Sequence, residues 1–307
     1  KRSYRIAFAS VLGCYAEWAT IQENSDAALL DSASAKTVLG NSKSQFPNFL
    51  TATHGGTTLT SRIVSGNQLA APGGSPMIET SRHDAWQAGD NYDAYMGRWS
   101  RQIAPRFLDW FNAPHDTDWL EVGCGTGALT ECILRQCSPH SLIAVDPSSG
   151  FIALAGQKIT DMRVKFEVGD AQMLAVQSAS KNVVVSALVL NFIPDRLKAL
   201  SEMKRVCAED GLVGFYVWDY PGGGIEFMRA FWNAAVSLDP NASEFTEGTR
   251  FPFCTQKGLI DLVNASGLSV IRCEAIEVPT VFQDFDDYWH PFTLGAGPAP
   301  GYCISLE

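Results

Sequence analysis

The feature that most constrains this 307-residue chain is the run T-D-W-L-E-V-G-C-G-T-G-A-L-T at 117–130. Trp119, Leu120 and Val122 form the short apolar run of a buried strand. Gly123, Gly125 and Gly127 follow at every second position, and residues 128–136 carry apolar and small side chains at helical spacing. The stretch reads strand, glycine turn, helix. A missing Cβ lets a ligand approach the backbone and permits positive φ, and the N–H groups that open the next helix point into the same space. Such a turn suits the close approach of a nucleoside-bearing small molecule.

A glycine turn alone is equally consistent with a plain strand-to-helix connection, so the downstream segments matter. S-L-I-A-V-D-P-S at 141–148 reads as a second strand ending at Asp146. That acid lies about 20 residues past the glycines, where a carboxylate can take two ribose hydroxyls. V-K-F-E-V-G-D-A at 164–171 is a third strand with Gly169, Asp170 and Ala171 at its carboxyl end, and V-V-V-S-A-L-V-L-N-F at 183–192 is a fourth, almost wholly apolar one. A fifth strand is expected at 211–218 and a sixth at 268–275. Helices are expected at 127–136, 148–159 with Ser148 as N-cap, 195–207, and 257–265 closed by Gly267. This alternation predicts a six-stranded, mainly parallel α/β sheet, with helices on both faces and the glycine turn at its centre. In such sheets ligands bind at the carboxyl ends of strands beside a switch point, where all these segments fall.

E-V-G-C-G-T-G, V-D-P-S, G-D-A and S-A-L-V-L-N-F, in this order and spacing, resemble the motif series of class I S-adenosylmethionine (SAM)-dependent methyltransferases, closest to the small-molecule branch that includes quinone-biosynthesis enzymes. The resemblance covers roughly residues 77–303. It implies a Rossmann-like fold with SAM as cofactor, bound by Glu121, Gly123, Cys124, Gly125, Thr126 and Gly127 at its methionine and ribose, and by Asp146, Pro147 and Ser148 along the ribose. It further implies Gly169, Asp170 and Ala171 at the adenine, and Ala187, Leu188 and Val189 near the sulfonium. Family members continue with a seventh, antiparallel strand; this chain stops at Glu307, so the domain over 77–307 is expected to be C-terminally shortened.

Composition narrows the acceptor. Net charge is −10 and no Lys/Arg-rich run occurs, which argues against a nucleic-acid partner. The eight cysteines (14, 124, 132, 137, 207, 254, 273 and 303) include no C-x-x-C pair and the five histidines have no metal spacing, so no metal site and a reducing, cytoplasmic setting are expected. No stretch is long and apolar enough to span a bilayer. Residues 1–76 hold six basic and four acidic residues, a net of +2, which leaves −12 for the rest. Their Ser, Thr, Ala, Gly and Asn content predicts a disordered or non-native leader before Met77.

Residues 84–112 read as one or two helices, with Ile103, Phe107, Leu108 and Phe111 packed on the sheet. Tyr92, Tyr95, Met96 and Trp99 form a separate aromatic group; in the resembling family such a segment covers the SAM pocket. The loop and helix at 218–232 face the same crevice, making Trp218, Asp219, Tyr220, Arg229 and Trp232, with Tyr92 and Tyr95, candidates for binding a small, partly apolar acceptor. Methyl transfer needs alignment more than a nucleophile, and no Ser/His/Asp or Cys/His constellation appears. Asp219 is the candidate base and His290 a weaker one, each balanced by turn chemistry or packing. Two alternatives remain open: a nicotinamide-dependent oxidoreductase, since Gly123, Gly125 and Ala128 also satisfy G-x-G-x-x-A, and a SAM-binding partner subunit without turnover.

Overall fold

A computed structural model describes residues 93–222, 224–295 and 297–306. The leader over 1–76 and the candidate Tyr92 lie outside the described residues. The chain enters through a π-helical turn, Asp93–Gly97, that runs directly into α1 (Arg98–Phe111). Strands and helices then alternate: β1 (Asp118–Val122), α2 (Ala128–Gln136), β2 (Ser141–Asp146), α3 (Ser149–Lys158), β3 (Val164–Val168), β4 (Lys181–Ala187), α4 (Arg196–Val206) and β5 (Cys207–Tyr216). Every strand pair is parallel and the order is β3-β2-β1-β4-β5. β1 is therefore central, and the glycine turn leaves the sheet where the strand order reverses.

Strand alternation divides the core in two. Trp119, Val183, Val185 and Tyr216 point to one face, where α1 and α2 supply Ile103, Phe107, Phe111, Leu129 and Ile133. Leu120, Val122, Val184, Val213 and Phe215 point to the other, under Ala199, Leu200 and Met203 of α4. Because both faces are covered, the central strands read as continuous apolar runs rather than alternating ones. Local caps match the sequence: Ser148 Oγ accepts the Phe151 N–H at 3.3 Å, and Gly267 ends its helix at φ +72°.

Beyond β5 the chain builds α5 (Glu226–Leu238), a 3₁₀ segment Pro240–Phe245, a single helical turn Glu247–Arg250 and α6 (Gln256–Ala265). It closes with α7 (Phe285–Trp289), the 3₁₀ turn His290–Leu294 and α8 (Pro298–Ile304). Together, α7 and its 3₁₀ turn form one short helical segment over residues 285–294.

The sixth strand expected at 268–275 does not form. Residues 271–280 are irregular and lie against α1 instead of pairing with β5. Trp110 Nε1 donates to Glu274 Oε2 at 2.6 Å, Arg272 donates to the Trp110 carbonyl at 3.2 Å and stacks on its ring at 4.5 Å, and Arg106 donates to the Glu277 carbonyl. Ile276 and Val278 bury into the α1-side core. The alternation V-I-R-C-E-A-I-E-V that reads as a strand is thus a helix-bound strap, its charges engaged by α1. The sheet described here has five strands, not six.

Candidate active site

The glycine turn is clamped to the neighbouring strand before it meets any ligand. Gly123 N–H and Cys124 N–H both donate to the Val145 carbonyl, at 2.7 and 3.0 Å, and Gly127 N–H returns to the Cys124 carbonyl at 2.9 Å. All three glycines have positive φ, at +78°, +53° and +91°. Their surroundings differ. A Cβ on Gly123 would sit 2.5 Å from Val189, and one on Gly127 would sit 2.6 Å from Ile159. A Cβ on Gly125 would meet nothing within 4 Å. Two of the glycines therefore serve packing, and Gly125 alone presents bare backbone to open space.

Asp146 ends β2 beside that space. Its Oδ2 accepts the Gly125 N–H at 3.0 Å and its Oδ1 accepts the Ser148 N–H at 2.9 Å, so one carboxylate ties the two binding loops together. Burial pushes its pKa up, against the pull of the two N–H donors. Glu121 in β1 is fully buried; Thr130 Oγ1 donates to its Oε2 at 2.6 Å, while Oε1 has no hydrogen-bond partner among the described residues. Burial, with the nearby Asp146, pushes Glu121 up to about 8 despite the Thr130 hydroxyl. A buried acceptor atom without a donor, beside a backbone turn that a side chain would fill, fits a ligand with a cationic or N–H group at this end.

These groups open into a cavity of about 210 Å³. Of the residues expected from sequence, Glu121, Gly123, Cys124, Gly125, Thr126, Asp146, Pro147, Ser148, Ala187, Leu188 and Val189 line its polar end, and Tyr95, Trp218 and Tyr220 its aromatic end. Leu188 holds φ +58°, a strained setting for a branched residue, fixed by its N–H on the Tyr216 carbonyl at 2.8 Å. A second groove of about 390 Å³, lined by Arg101, Arg135, Lys158 and Arg163, lies beside Gly127. It is larger but open to solvent, and neither Glu121 nor Asp146 faces it, so the smaller cavity is the candidate site.

Several expected residues lie elsewhere. Gly169, Asp170 and Ala171 do not line the cavity; Gly169 N–H donates to the Asp146 carbonyl at 3.1 Å, while Asp170 is exposed and accepts the Gln172 N–H at 2.8 Å. Asp219 Oδ1 accepts the Gly222 N–H at 2.8 Å, the turn role set against its candidacy as a base. Arg229 is exposed and pairs with Glu226 at 3.7 Å, and His290 is exposed. Trp232 is buried behind the wall, where its Nε1 donates to Glu247 Oε2. Sequence reasoning missed Glu247 itself, as well as Met228, Phe151 and Pro298, all of which line the cavity.

Residues 120–215 match the family described as Methyltransferase domain. Over this segment the chain carries a SAM-dependent methyltransferase domain. Its matched stretch runs from β1 through β5 and includes the glycine turn and Asp146. A demethylmenaquinone methyltransferase of Lactobacillus johnsonii is 31% identical over 40% of this chain and 51% of its own length. A malonyl-[acyl-carrier protein] O-methyltransferase of Herminiimonas arsenicoxydans is 26% identical over 62% and 66%, respectively. A ubiquinone/menaquinone biosynthesis C-methyltransferase of Campylobacter jejuni is 25% identical over 54% and 77%. The chain thus spans about half the length of the first of these relatives. The matched domain favours methyl transfer over the nicotinamide alternative, and SAM is the methyl donor of that family. Among the described residues no helix is long and apolar enough to cross a membrane.

Proposed function

We propose that this chain transfers a methyl group from SAM to a small, partly apolar acceptor by in-line displacement. One cavity carries this reading: the same lining combines the glycines and carboxylates of residues 121–148 with the aromatic side chains of Tyr95, Tyr216, Trp218 and Tyr220. SAM supplies a methyl on a positively charged sulfur, already activated for displacement. In this reading Asp146 receives the ribose hydroxyls on lone pairs not used by Gly125 and Ser148. Glu121 faces the cationic methionine end, and the adenine extends past the cavity lining towards Gly169, whose N–H donates to the Asp146 carbonyl at the end of β2. Tyr95, Trp218, Tyr220 and Met228 close the other end, so the acceptor is aligned and water excluded.

The names of the relatives include both a C- and an O-methyltransferase, which leaves the target atom to the acceptor end of this chain. The test is to incubate the full chain with methyl-labelled SAM and a panel of hydroxylated aromatic and acyl acceptors. Label transfer, with stoichiometric S-adenosylhomocysteine (SAH), is the expected result. Tight SAM binding with no transfer to any acceptor would favour the partner-subunit alternative.

A further inference from the structure

The strand order leaves β3 at one end of the sheet, with no strand of the described residues on its outer side. Its inner side is fixed by β2: Leu142 N–H donates to the Arg163 carbonyl at 2.8 Å, and Gly169 N–H donates to the Asp146 carbonyl at 3.1 Å. Main-chain groups alternate in direction along a strand. The odd-numbered residues of 163–169 therefore face β2, and Val164, Phe166 and Val168 turn their N–H and C=O groups outward. Of these, Val164 N–H is taken locally by the Asp161 carbonyl at 3.2 Å. Exposed apolar side chains mark the same region: Val168 is 59% exposed, and Met162 and Met173, which flank the strand, are 98% and 73% exposed. On the opposite face from Val164, Phe166 and Val168, Lys165 pairs with Glu167 at 2.6 Å. An unpaired edge of this kind is a template for another strand.

We propose that the occupant of this edge is a second copy of the chain, whose β3 adds antiparallel about a two-fold axis at Phe166 and joins the two sheets. The pattern of β3 is complementary to itself in that register. Lys165 lies opposite Glu167 of the second copy, Glu167 lies opposite its Lys165, and Val164 lies opposite its Val168. Phe166 faces its own copy with outward main-chain groups, so the two residues exchange both hydrogen bonds. Because outward groups belong to alternate residues, the strands can slip only in steps of two. One such step in either direction moves the axis to Lys165 or to Glu167 and sets like charges face to face, which is destabilising. A lone lysine on an edge strand keeps other strands away. Here the glutamate two positions on makes that lysine half of a pattern that selects one partner and one register. β3 is five residues long, so the association belongs to the weak, concentration-dependent class.

Sedimentation velocity on the full chain at low salt, from about 1 to about 200 µM, tests this. The expected result is a reversible monomer–dimer equilibrium. Lys165→Glu and Glu167→Lys, each alone, set like charges opposite one another and should weaken self-association at least about tenfold. Both also break the Lys165–Glu167 pair within the chain, so the deciding sample is an equimolar mixture of the two variants. The mixed dimer has opposite charges at every facing position and should form within about threefold of the wild-type affinity, a rescue that misfolding cannot produce. If a charge reversal unfolds the chain, Lys165→Gln and Glu167→Gln carry the test, each expected to weaken association about threefold. A wild type that stays monomeric throughout, a dimer that none of these substitutions weakens, or folded charge-reversal variants that do not associate when mixed overturns the proposal.

Discussion

The two ends of the cavity are built on different length scales. At the cofactor end, neighbours in the chain hold one another: Gly125, in the turn after β1, and Asp146, the last residue of the adjacent β2, are 21 positions apart and share a hydrogen bond. At the acceptor end, Tyr95 precedes the sheet, Met228 lies on α5, and Glu247 and Pro298 follow it. The first end is backbone geometry, with glycines where a Cβ would obstruct and a carboxylate tying two loops. The second is side-chain packing among elements that meet only after the fold has closed. A sheet of this kind can therefore keep its cofactor end fixed while the later segments reshape what sits opposite.

Substitutions can break this contrast. The largest effect is expected at Gly125. Gly125→Val should abolish measurable SAM binding, a loss of at least about 3 kcal/mol, or more than a hundredfold. Its cost to the fold should be only about 1–2 kcal/mol, the strain of a left-handed branched residue, because no protein atom occupies the space it enters. Gly123→Val, whose side chain would collide with Val189, should lower the melting temperature more. Equal melting of the two variants would mean that the space at Gly125 is not ligand space.

Next comes Asp146→Ala, expected to weaken SAM binding by about 1–3 kcal/mol, the scale of charge-assisted hydrogen bonds. Because it also frees the Gly125 and Ser148 N–H groups, binding should be measured well below the variant's own melting temperature. If Gly125→Val and Asp146→Ala both bind SAM like the wild type, the cofactor end is misassigned.

Glu121 gives a pH signature. Its carboxyl is raised in the folded protein from about 4.5 to about 8, so its stabilising contribution is complete below pH about 4.5 and is lost as pH rises towards 8. Glu121→Gln should flatten the ligand-free stability profile across that window by about 1–2 kcal/mol, and at the same time weaken SAM binding. Parallel wild-type and variant melting profiles from pH 5 to 8 would show that burial does not hold Glu121 neutral.

The smallest effect is expected at Asp219. Its carboxylate caps the turn at Gly222 and does not line the cavity, so Asp219→Asn should change turnover and SAM affinity by less than about 0.5 kcal/mol. A large loss of turnover at unchanged SAM affinity would restore it as a base.

The same contrast explains what could be read from the sequence. Gly123, Gly125, Asp146 and the apolar runs of β1 to β4 announce themselves through spacing, because backbone turns and strand pairing depend on local chain geometry. Glu247 carries no such signal. Glu244, three residues earlier in the polar run S-E-F-T-E-G-T-R, is exposed, and only the position of Trp232 after folding separates the two acids. Asp219 reads two ways in the sequence, as a base or as a turn residue, and its carboxylate accepts the Gly222 N–H in the turn that follows β5. The strap at 271–280 alternates like a strand, yet its Arg272 and Glu274 are drawn to Trp110, a contact 162 to 164 positions away that no local pattern encodes.

The central claim is that the turn at Gly125, with Asp146, binds SAM. The most direct test is a calorimetric titration of the full chain with SAM and, separately, with NADH, on wild type and Gly125→Val. The account predicts saturable SAM binding to the wild type, its loss in the variant, and no NADH binding to either. Saturable NADH binding that Gly125→Val removes, with no heat from SAM, would contradict it.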